Sequence, residues 1–332
     1  MRLSILIPVF NGQDFIDRCL NGILDQGIPS DAYEIILIDD GSTDDSLTIA
    51  RSFVDKHPNI RLFSQQNQGA YATRNRLLEL AQGDYIYNFD IDDLLVGNNL
   101  LRILDHAEER QLDMVGFRSS TIAEIGENGT QLPLCNPMEF DSGRDFIQSF
   151  PYHRVEVWWY LVRKGFLVEN AIRFQDNANN ADVVFTYSVL FNCGKMAFFD
   201  CVNHHYCLSE NSIMRANQFK KRMEVVHSMH DMVLSLDDFV NRQAHEDIEA
   251  SVLRIVNDRV SHFALFNMAN MVRIGMAFED IQQRISSLEF REIYPFDKRV
   301  FERMKLKTRL LVQLMNNRLF LRVGTTICKQ LR

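Results

Sequence analysis

The sequence predicts an α/β fold, in which a mostly parallel sheet is flanked by helices and followed by a helical C-terminal region. Three observations predict this fold. Short apolar runs alternate with helical patterns over about the first hundred residues. Those runs are apolar at nearly every position, as in strands buried on both faces. Beyond about residue 217 the pattern becomes helical almost throughout.

The first strand and the first helix follow each other directly. Leu3 to Val9 is a short apolar run that Asn11 and Gly12 close. Residues 15–24 then place their apolar side chains on one helical face. Together they predict one strand-and-helix unit.

The second unit begins with residues 33–38, which predict a buried strand that ends in Asp39 and Asp40. We expect Ser42 or Thr43 to cap the helix that follows, because hydroxyl side chains accept hydrogen bonds from free helical N–H groups.

The later elements are predicted in the same way. We expect strands at 60–63, 85–89, 114–117 and 196–199, and helices at 70–81, 98–110 and 183–191. We also expect a short helix around Trp158 and Trp159.

Composition excludes several classes of protein. With 332 residues, 46% hydrophobic and 24% charged, the chain is globular. No apolar stretch reaches the roughly 18 to 20 residues of a membrane span, and the beginning has no secretory signal layout. Six scattered cysteines without a C-x-x-C pair indicate reduced thiols. We therefore expect a cytoplasmic protein, and one placed peripherally at the inner face of the membrane if its C-terminal tail binds there.

Charge is unevenly distributed along the chain. The net charge is −8, which disfavours nucleic acid as a partner, yet every charged residue in 303–332 is basic. In this tail Met304, Leu311, Met315 and Leu319 fall near one helical face. Residues 303–332 therefore predict either a terminal helix packed on its own protein or a peripheral contact with an anionic membrane.

Polar clusters follow four of the predicted strands. They are residues 8–11, Asp39 with Asp40, residues 65–67 and residues 90–93. Any one of them has the composition of an ordinary turn. Because the carboxyl ends of parallel strands meet at one edge of a sheet, the four clusters together predict a ligand site there.

The residue types in these clusters indicate a phosphate-bearing ligand. Asp90 and Asp92 have the Asp-x-Asp spacing that can hold Mg²⁺ or Mn²⁺ while leaving positions open for a diphosphate. Asp39 can accept a hydrogen bond from a base edge. Asn67 and Arg74 are placed to contact phosphate oxygens. No G-x-G-x-x-G motif follows the first strand and no G-K-[ST] is present, which disfavours dinucleotide and P-loop sites.

Four ordered motifs carry a family resemblance: SILIPVFNG at 4–12, EIILIDDGSTDDS at 34–46, QNQGAYATRN at 66–75 and GDYIYNFDIDD at 83–93. With them the chain resembles the inverting, GT-A-fold glycosyltransferases of family 2, of the type that builds bacterial cell-surface polysaccharides. The resemblance is close over the first hundred residues and looser to about 215.

The resemblance implies a function for the site. A sugar would pass from a nucleotide diphosphate sugar, most commonly uridine-linked, to a hydroxyl of a glycan or lipid-linked acceptor, with Mn²⁺ or Mg²⁺ bound. Asp182 aligns with the general base of the family, although Ala181 replaces the usual Glu before it. Asp176 is the alternative base. The other roles are carried by Pro8, Val9 and Asn11 in the nucleotide pocket, Asp39 at the base, Asn67 and Arg74 near the diphosphate, and Asp90 and Asp92 at the metal.

The resemblance also implies a domain organisation. Residues 1–215 would form the transferase domain, with 1–95 binding the donor and 96–215 binding the acceptor. Residues 216–332 would form the helical C-terminal region.

Several alternatives stay open. A sugar nucleotidyltransferase has a similar architecture, and Ala181 allows a donor-binding protein without transfer activity. One of Trp158 and Trp159 is expected in the core and the other against an acceptor sugar. His204 and His205 lie between Cys201 and Cys207 in a spacing that fits no standard zinc frame, so we expect one of these histidines to approach the diphosphate or metal.

Overall fold

The computed structural model describes residues 1–122, 136–175, 180–207, 219–302 and 304–330. Their contacts divide the chain into two units. Unit 1 consists of Met1–Ser149, His153–Asn177 and Ala181–Ser209, and unit 2 of Phe150–Tyr152, Ala178–Asn180 and Glu210–Arg332. Because residues 208–218 lie outside the described ranges, the expected boundary near 215 stays a prediction.

Unit 1 is built on one mixed sheet. Its described strands are β1 Leu3–Val9, β2 Tyr33–Asp39, β3 Ile60–Ser64, β4 Tyr85–Asn88, β5 Leu94–Leu95, β6 Met114–Ile122, β7 Met138–Phe140, β8 Tyr160–Arg163 and β9 Met196–Cys207. They are ordered β3-β2-β1-β4-β8-β6-β9-β5, with β7 also pairing with β9. The first four are parallel, as predicted, and antiparallel β8 separates β4 from β6.

The helices of unit 1 connect these strands. They are α1 Ile16–Leu24, α2 Ser46–Val54, α3 Ala70–Leu80, α4 Leu100–Glu109, α5 Gly143–Ser149, α6 Lys164–Glu169 and α7 Ala181–Asn192. The β1 and β2 strands are inaccessible to solvent along nearly their whole length, because helices cover both faces of the parallel half.

The register of the parallel strands aligns their carboxyl ends. Val9 lies opposite Asp39, and Asp39 lies opposite Ser64. Leu6 lies opposite Asn88, so that the chain leaves β4 close to the end of β1. The polar clusters that follow these strands are thereby brought to one edge of the sheet.

Two local predictions are wrong. Helix α2 begins at Ser46 after Asp45, with no side-chain capping bond, so neither Ser42 nor Thr43 is its cap. Their polar groups bond to Asn11 instead. Trp158 and Trp159 are not helical either, because they precede β8 in a turn.

Unit 2 is helical where it is described. It contains α8 Phe219–Gln243, α9 Ala250–Arg273, α10 Phe278–Phe290, a short 3₁₀ turn Lys298–Phe301, α11 Leu306–Met315 and α12 Arg318–Gln330. Among the described residues, no helix combines the length and the apolarity that crossing a bilayer requires.

The tail differs from the expected single helix. A break at Asn316 and Asn317 separates α11 from α12. The apolar face is different as well, since Met315 is buried and, of the four residues predicted to form it, Leu319 alone is exposed.

Candidate active site

The loops after β1 and β2 are tied together by Asn11. The Asn11 N–H donates to Ser42 Oγ at 2.9 Å, and Asn11 Oδ1 accepts from the Thr43 N–H at 2.8 Å. Asn11 has a φ of 50°, in the left-handed region that Asn tolerates better than most residues. Beside it Pro8 is half-buried, whereas the Val9 side chain lies in the core.

Asp39 ends β2 with its carboxylate largely enclosed. It is 3% exposed and accepts from the Ser42 N–H and from Ser64 Oγ, both at 3.3 Å. A carboxylate has about four lone-pair sites, so these two long bonds leave it able to accept another hydrogen bond.

Asp40 organises the loop between β3 and α3. Its carboxylate accepts from Gln65 Nε2 at 2.7 Å and from the N–H groups of Gln68 and Gly69, both at 2.9 Å. Gly41 has a φ of +76°, and a Cβ there would lie 2.9 Å from the Asn67 backbone nitrogen. The loop that carries the exposed Asn67 therefore depends on the Asp40 hydrogen bonds and on a glycine at position 41. We call Asn11, Asp39, Asp40 and these loops the loop end of the site.

The part of the site away from the loop end is organised by residues of α3. Arg74 is 5% exposed, and its Nη2 forms an ion pair with Asp90 Oδ1. Its Nη1 is buried and has no hydrogen-bond partner within the described part of the chain. Because a buried N–H group without a partner is costly, this donor is available to an anionic oxygen of a ligand.

Asp182 is positioned by the same helix. The Tyr71 hydroxyl donates to Asp182 Oδ1 at 3.1 Å. Tyr71 precedes Arg74 by three residues, so both side chains leave the same face of α3. We call Asp90, Asp92 and Asp182, with Tyr71 and Arg74, the carboxylate end.

The surroundings of Asp182 favour its protonated form. Burial raises the pKa of this carboxyl to about 6, and the negative charge of Glu156 adds to the effect. The Tyr71 hydrogen bond and the Arg74 charge act in the opposite direction. A carboxylate with a pKa near the working pH is suited to accept a proton during a reaction.

Phe174 is fixed to α3 by a pair of hydrogen bonds. Asn75 Nδ2 donates to the Phe174 carbonyl at 2.9 Å, and the Phe174 N–H donates to Asn75 Oδ1 at 3.0 Å. The Phe174 ring stacks on Phe185 of α7 with 4.0 Å between centroids. These contacts hold the beginning of the helix that carries Asp182. The alternative base Asp176 lies outside the described residues.

The three carboxylates after β4 differ in their environments. Burial, followed by the charges of Asp90 and Asp93, raises the pKa of Asp92 to about 7. Asp93 is fully buried and bonds to His204 Nε2 at 3.0 Å and to the Cys207 N–H at 2.9 Å. Asp93 therefore joins the end of β4 to the end of β9, and Asp90 and Asp92 are the pair left for a ligand.

The residues present fit a divalent cation. No group of three or more His, Cys, Asp or Glu in the described ranges has metal-binding geometry. Mg²⁺, however, commonly binds one or two carboxylates together with substrate phosphates. Burial raises the pKa of Asp92 most, and the charges of Asp90 and Asp93 add to the effect; a cation between Asp90 and Asp92 would offset both by favouring the charged carboxylate. Arg18 Nη2 donates to the Asp92 carbonyl at 2.6 Å and so fixes the backbone there.

The two histidines and the two tryptophans near the site are all buried. His204 is fully buried between Asp93 and Ser119, and burial lowers its pKa to about 3, so it remains neutral. That one of these histidines approaches the diphosphate or metal stays a prediction. His205 is also buried and contacts Ser120. Trp158 stacks on His204 at 4.3 Å. Both indoles are less than 5% exposed, so neither presents an open face to a sugar.

Sequence reasoning missed Tyr71 and Glu156: the Tyr71 hydroxyl bonds to Asp182, and the charge of Glu156 raises the Asp182 pKa. The three-residue spacing of Tyr71 and Arg74 in the predicted helix 70–81 could have indicated a shared helical face. No local signal identifies Glu156, because its effect depends on the folded chain.

Comparison with known proteins gives a match to a family profile and to individual relatives. The sequence profile described as Glycosyl transferase family 2 matches residues 4–202. The uncharacterised glycosyltransferase YibD of Escherichia coli K12 is 30% identical over 224 residues, covering 65% of this chain and 64% of YibD. The poly(ribitol-phosphate) β-glucosyltransferase of Bacillus spizizenii is also 30% identical, over 64% of this chain but 33% of that protein.

The fold is shared with a solved structure. Residues 1–349 of TarS from S. aureus, crystallised with UDP-GlcNAc, superpose with a TM-score of 0.71 at 19% identity. The match covers 100% of this chain and 93% of that one. Matched regions thus span about two thirds of YibD, one third of the Bacillus protein and nearly all of the solved fragment.

Proposed function

Because the chain belongs to the glycosyl transferase family 2, we propose that it is an inverting, metal-dependent glycosyltransferase. It would move a sugar from a nucleotide diphosphate sugar to a hydroxyl of a glycan or lipid-linked acceptor. The observation that carries this proposal is the pair of contacts on α3: Tyr71 holds Asp182, and Arg74 holds Asp90. One helix thereby connects a proton acceptor with a diphosphate-binding group.

The donor would lie along both ends of the site. Pro8 and Asn11 would border the nucleotide pocket together with the backbone of Val9, whose side chain lies in the core. Asp39 would accept a hydrogen bond from an N–H at the base edge. The UDP-GlcNAc bound to the S. aureus protein supports a uridine diphosphate donor. Asn67 and Arg74 would contact the diphosphate, with Arg74 Nη1 as the donor that lacks a partner in the described chain.

The transfer step is a single displacement. Asp182 removes the proton from the acceptor hydroxyl. The hydroxyl oxygen of the acceptor attacks the anomeric carbon at the same time, from the face opposite the diphosphate. The bond between that carbon and the diphosphate oxygen breaks, which inverts the configuration, and Arg74 stabilises the charge of the leaving group. Mn²⁺ or Mg²⁺ held by Asp90 and Asp92 would supply further neutralisation of the diphosphate.

The proposed domains follow from these roles. Residues 1–95 carry the donor contacts and residues 96–215 the acceptor side, while 216–332 form a helical region. The name of the Bacillus relative supports a polymer of polyol phosphate as one acceptor to test.

A release assay tests the function. The protein is incubated with a panel of nucleotide sugars, Mn²⁺ or Mg²⁺, and poly(ribitol phosphate) or a glycolipid as acceptor. Acceptor-dependent release of nucleoside diphosphate, with an inverted anomer in the product, is the expected result. Donor binding without release would support the binding-protein alternative, and pyrophosphate formed from a nucleoside triphosphate and a sugar phosphate would support a nucleotidyltransferase.

A further inference from the structure

The last two helices of unit 2 leave apolar side chains in water. On α11, Leu306, Leu310 and Leu314 are 62%, 49% and 40% exposed. On α12, Leu319, Val323 and Ile327 are 71%, 48% and 50% exposed. In each helix these residues are spaced four apart and form one line along the helix surface. We call the two lines the tail stripes.

The tail stripes repeat the same pattern. Leu306, Arg309, Leu310, Gln313 and Leu314 recur thirteen positions later as Leu319, Arg322, Val323, Thr326 and Ile327. The repeat in residue class covers the exposed positions of α11 except Lys307, which corresponds to Phe320. It does not extend to the buried Val312 and Met315, which correspond to the buried Thr325 and the half-buried Cys328. Packing inside the protein does not explain a pattern that is confined to the solvent side.

Both stripes face away from the same neighbour. Helices α11 and α12 both pack against α9. The sides of α11 and α12 that lie opposite the tail stripes are the buried ones, as shown by Val312, Met315, Leu321 and Thr325. At Gly324 an added Cβ would lie 3.2 Å from Val272 of α9. The two stripes are therefore presented on the side opposite α9.

The corner between the two helices is firmly held. Asn316 Nδ2 donates to the Phe296 carbonyl at 2.9 Å, and the Phe296 N–H donates to Asn316 Oδ1 at 2.9 Å. The Tyr294 hydroxyl donates to the Met315 carbonyl at 3.2 Å. The exposed side chains thus belong to anchored helices, and their exposure is not a consequence of a loose chain end.

The charges beside the stripes indicate what covers them. Lys305, Lys307, Arg309, Arg322 and Lys329 are exposed, and no acidic residue occurs in 303–332. A second copy that packed its own tail stripes on these would bring like charges together. A bilayer with anionic headgroups instead offers negative charge next to apolar depth, and basic amphipathic helices lie in such an interface.

We propose that the tail stripes dock on an anionic lipid bilayer, with Leu306, Leu310, Leu314, Leu319, Val323 and Ile327 entering the interface and Arg309 and Arg322 bound to lipid phosphates. This inference goes beyond the proposed sugar transfer and does not depend on it. The helices would lie along the membrane surface without crossing it.

Vesicle flotation tests the inference with the full chain. Wild type is mixed with vesicles of equal parts phosphatidylglycerol and phosphatidylcholine, or of phosphatidylcholine alone, in 0.1 M salt. We expect flotation with the anionic vesicles and none with the neutral ones. R309Q/R322Q should bind about thirtyfold more weakly, because each basic residue near the surface contributes about 1 kcal/mol. L310S/V323S should also lose binding, and 0.5 M salt should release the wild type.

Matched controls separate this contact from general effects. R51Q/R242Q removes the same charge from exposed sites on α2 and α8, and V168S removes an exposed apolar side chain from α6. Both controls should bind as wild type does. The proposal is overturned if wild type does not float, if the controls lose as much binding as the stripe variants, or if L310S/V323S converts a dimer to a monomer in light scattering. Donor turnover without acceptor is measured in parallel, so that loss of lipid binding is distinguished from loss of transfer.

Discussion

The loop end and the carboxylate end of the site lie at the same edge of one sheet but satisfy their charges differently. At the loop end Asp40 accepts three hydrogen bonds from one loop, and Asn11 bonds to two residues of another. At the carboxylate end the pKa values of Asp92 and Asp182 are raised by burial and by neighbouring negative charge.

The difference suits the two ends of the site to different functions. Satisfied hydrogen bonds make the loop end a fixed frame, as a binding surface needs to be. Raised pKa values are typical of groups that take part in proton transfer or bind cations. We therefore expect changes at the loop end to affect stability and donor affinity, and changes at the carboxylate end to affect turnover.

The largest effect should come from Asp182→Asn. An amide cannot accept the acceptor proton as the carboxylate does, so kcat should fall about a thousandfold. Donor affinity, measured by calorimetry, should stay within about twofold, because the proposed role of Asp182 is toward the acceptor hydroxyl. The control is Asp31→Asn, an exposed carboxylate in unit 1. Full turnover by Asp182→Asn would remove this residue from the mechanism.

The next effect should come from removing the metal. Chelation should lower kcat at least about a hundredfold, since loss of a cation leaves the diphosphate charge uncompensated. Asp92→Asn should lower the rate comparably and raise the Mn²⁺ concentration needed for half-maximal activity. Asp90→Asn is less clean, because it also removes the ion-pair partner of Arg74. An undiminished rate after chelation would exclude a metal role for this pair.

At the loop end, Asp40→Ala should destabilise the fold. It removes the acceptor of the Gln68 and Gly69 N–H groups and one of the two acceptors of the Gln65 amide, which also donates to Thr73 Oγ1. The free energy of unfolding, measured with urea, should drop by about 3 kcal/mol. Asp45→Ala, which changes an exposed carboxyl that makes no capping bond, should change it by less than about 0.5 kcal/mol. Equal losses in the two variants would mean that the Asp40 bonds contribute little.

The smallest effect concerns pH and the pKa of Asp182. Since the base must be deprotonated, kcat/KM should fall tenfold for each pH unit below about 6. Tyr71→Phe should move this acid limb upward by roughly half a pH unit, because the hydrogen bond that lowers the pKa is lost. Glu156→Gln should move it downward by a similar amount, as a negative charge is removed.

Because Tyr71→Phe and Glu156→Gln should shift the acid limb in opposite directions, the two variants together exclude a general effect of mutation on the pH profile. Asp90 and Arg74 also act on Asp182, so the profiles are recorded at saturating Mn²⁺ in every variant. Shifts of the same sign in Tyr71→Phe and Glu156→Gln would assign the acid limb to another group.

Much of the sheet edge could be predicted from sequence, because a buried strand and the polar cluster after it are local signals. The bounds of β1 and the position of Asp90 and Asp92 follow from a few consecutive residues. The role of Asp93 could not be predicted, since its partners His204 and Cys207 are more than a hundred residues away. Likewise, the break at Asn316 depends on hydrogen bonds to Phe296, so helical periodicity alone predicted one helix and the wrong exposed face.

The spacing of Tyr71 and Arg74 on α3 has a consequence for how such an enzyme could change its substrates. Three residues of an α-helix advance by about 4.5 Å, and this rise is the same whatever the surrounding loops do. The spacing between the Tyr71 contact to Asp182 and the Arg74 contact to Asp90 is therefore set by one helix. Loops that contact the acceptor could lengthen, shorten or exchange residues during evolution without altering the spacing of Tyr71 and Arg74. New acceptors would then be gained by remodelling the loops while the reacting groups keep their separation.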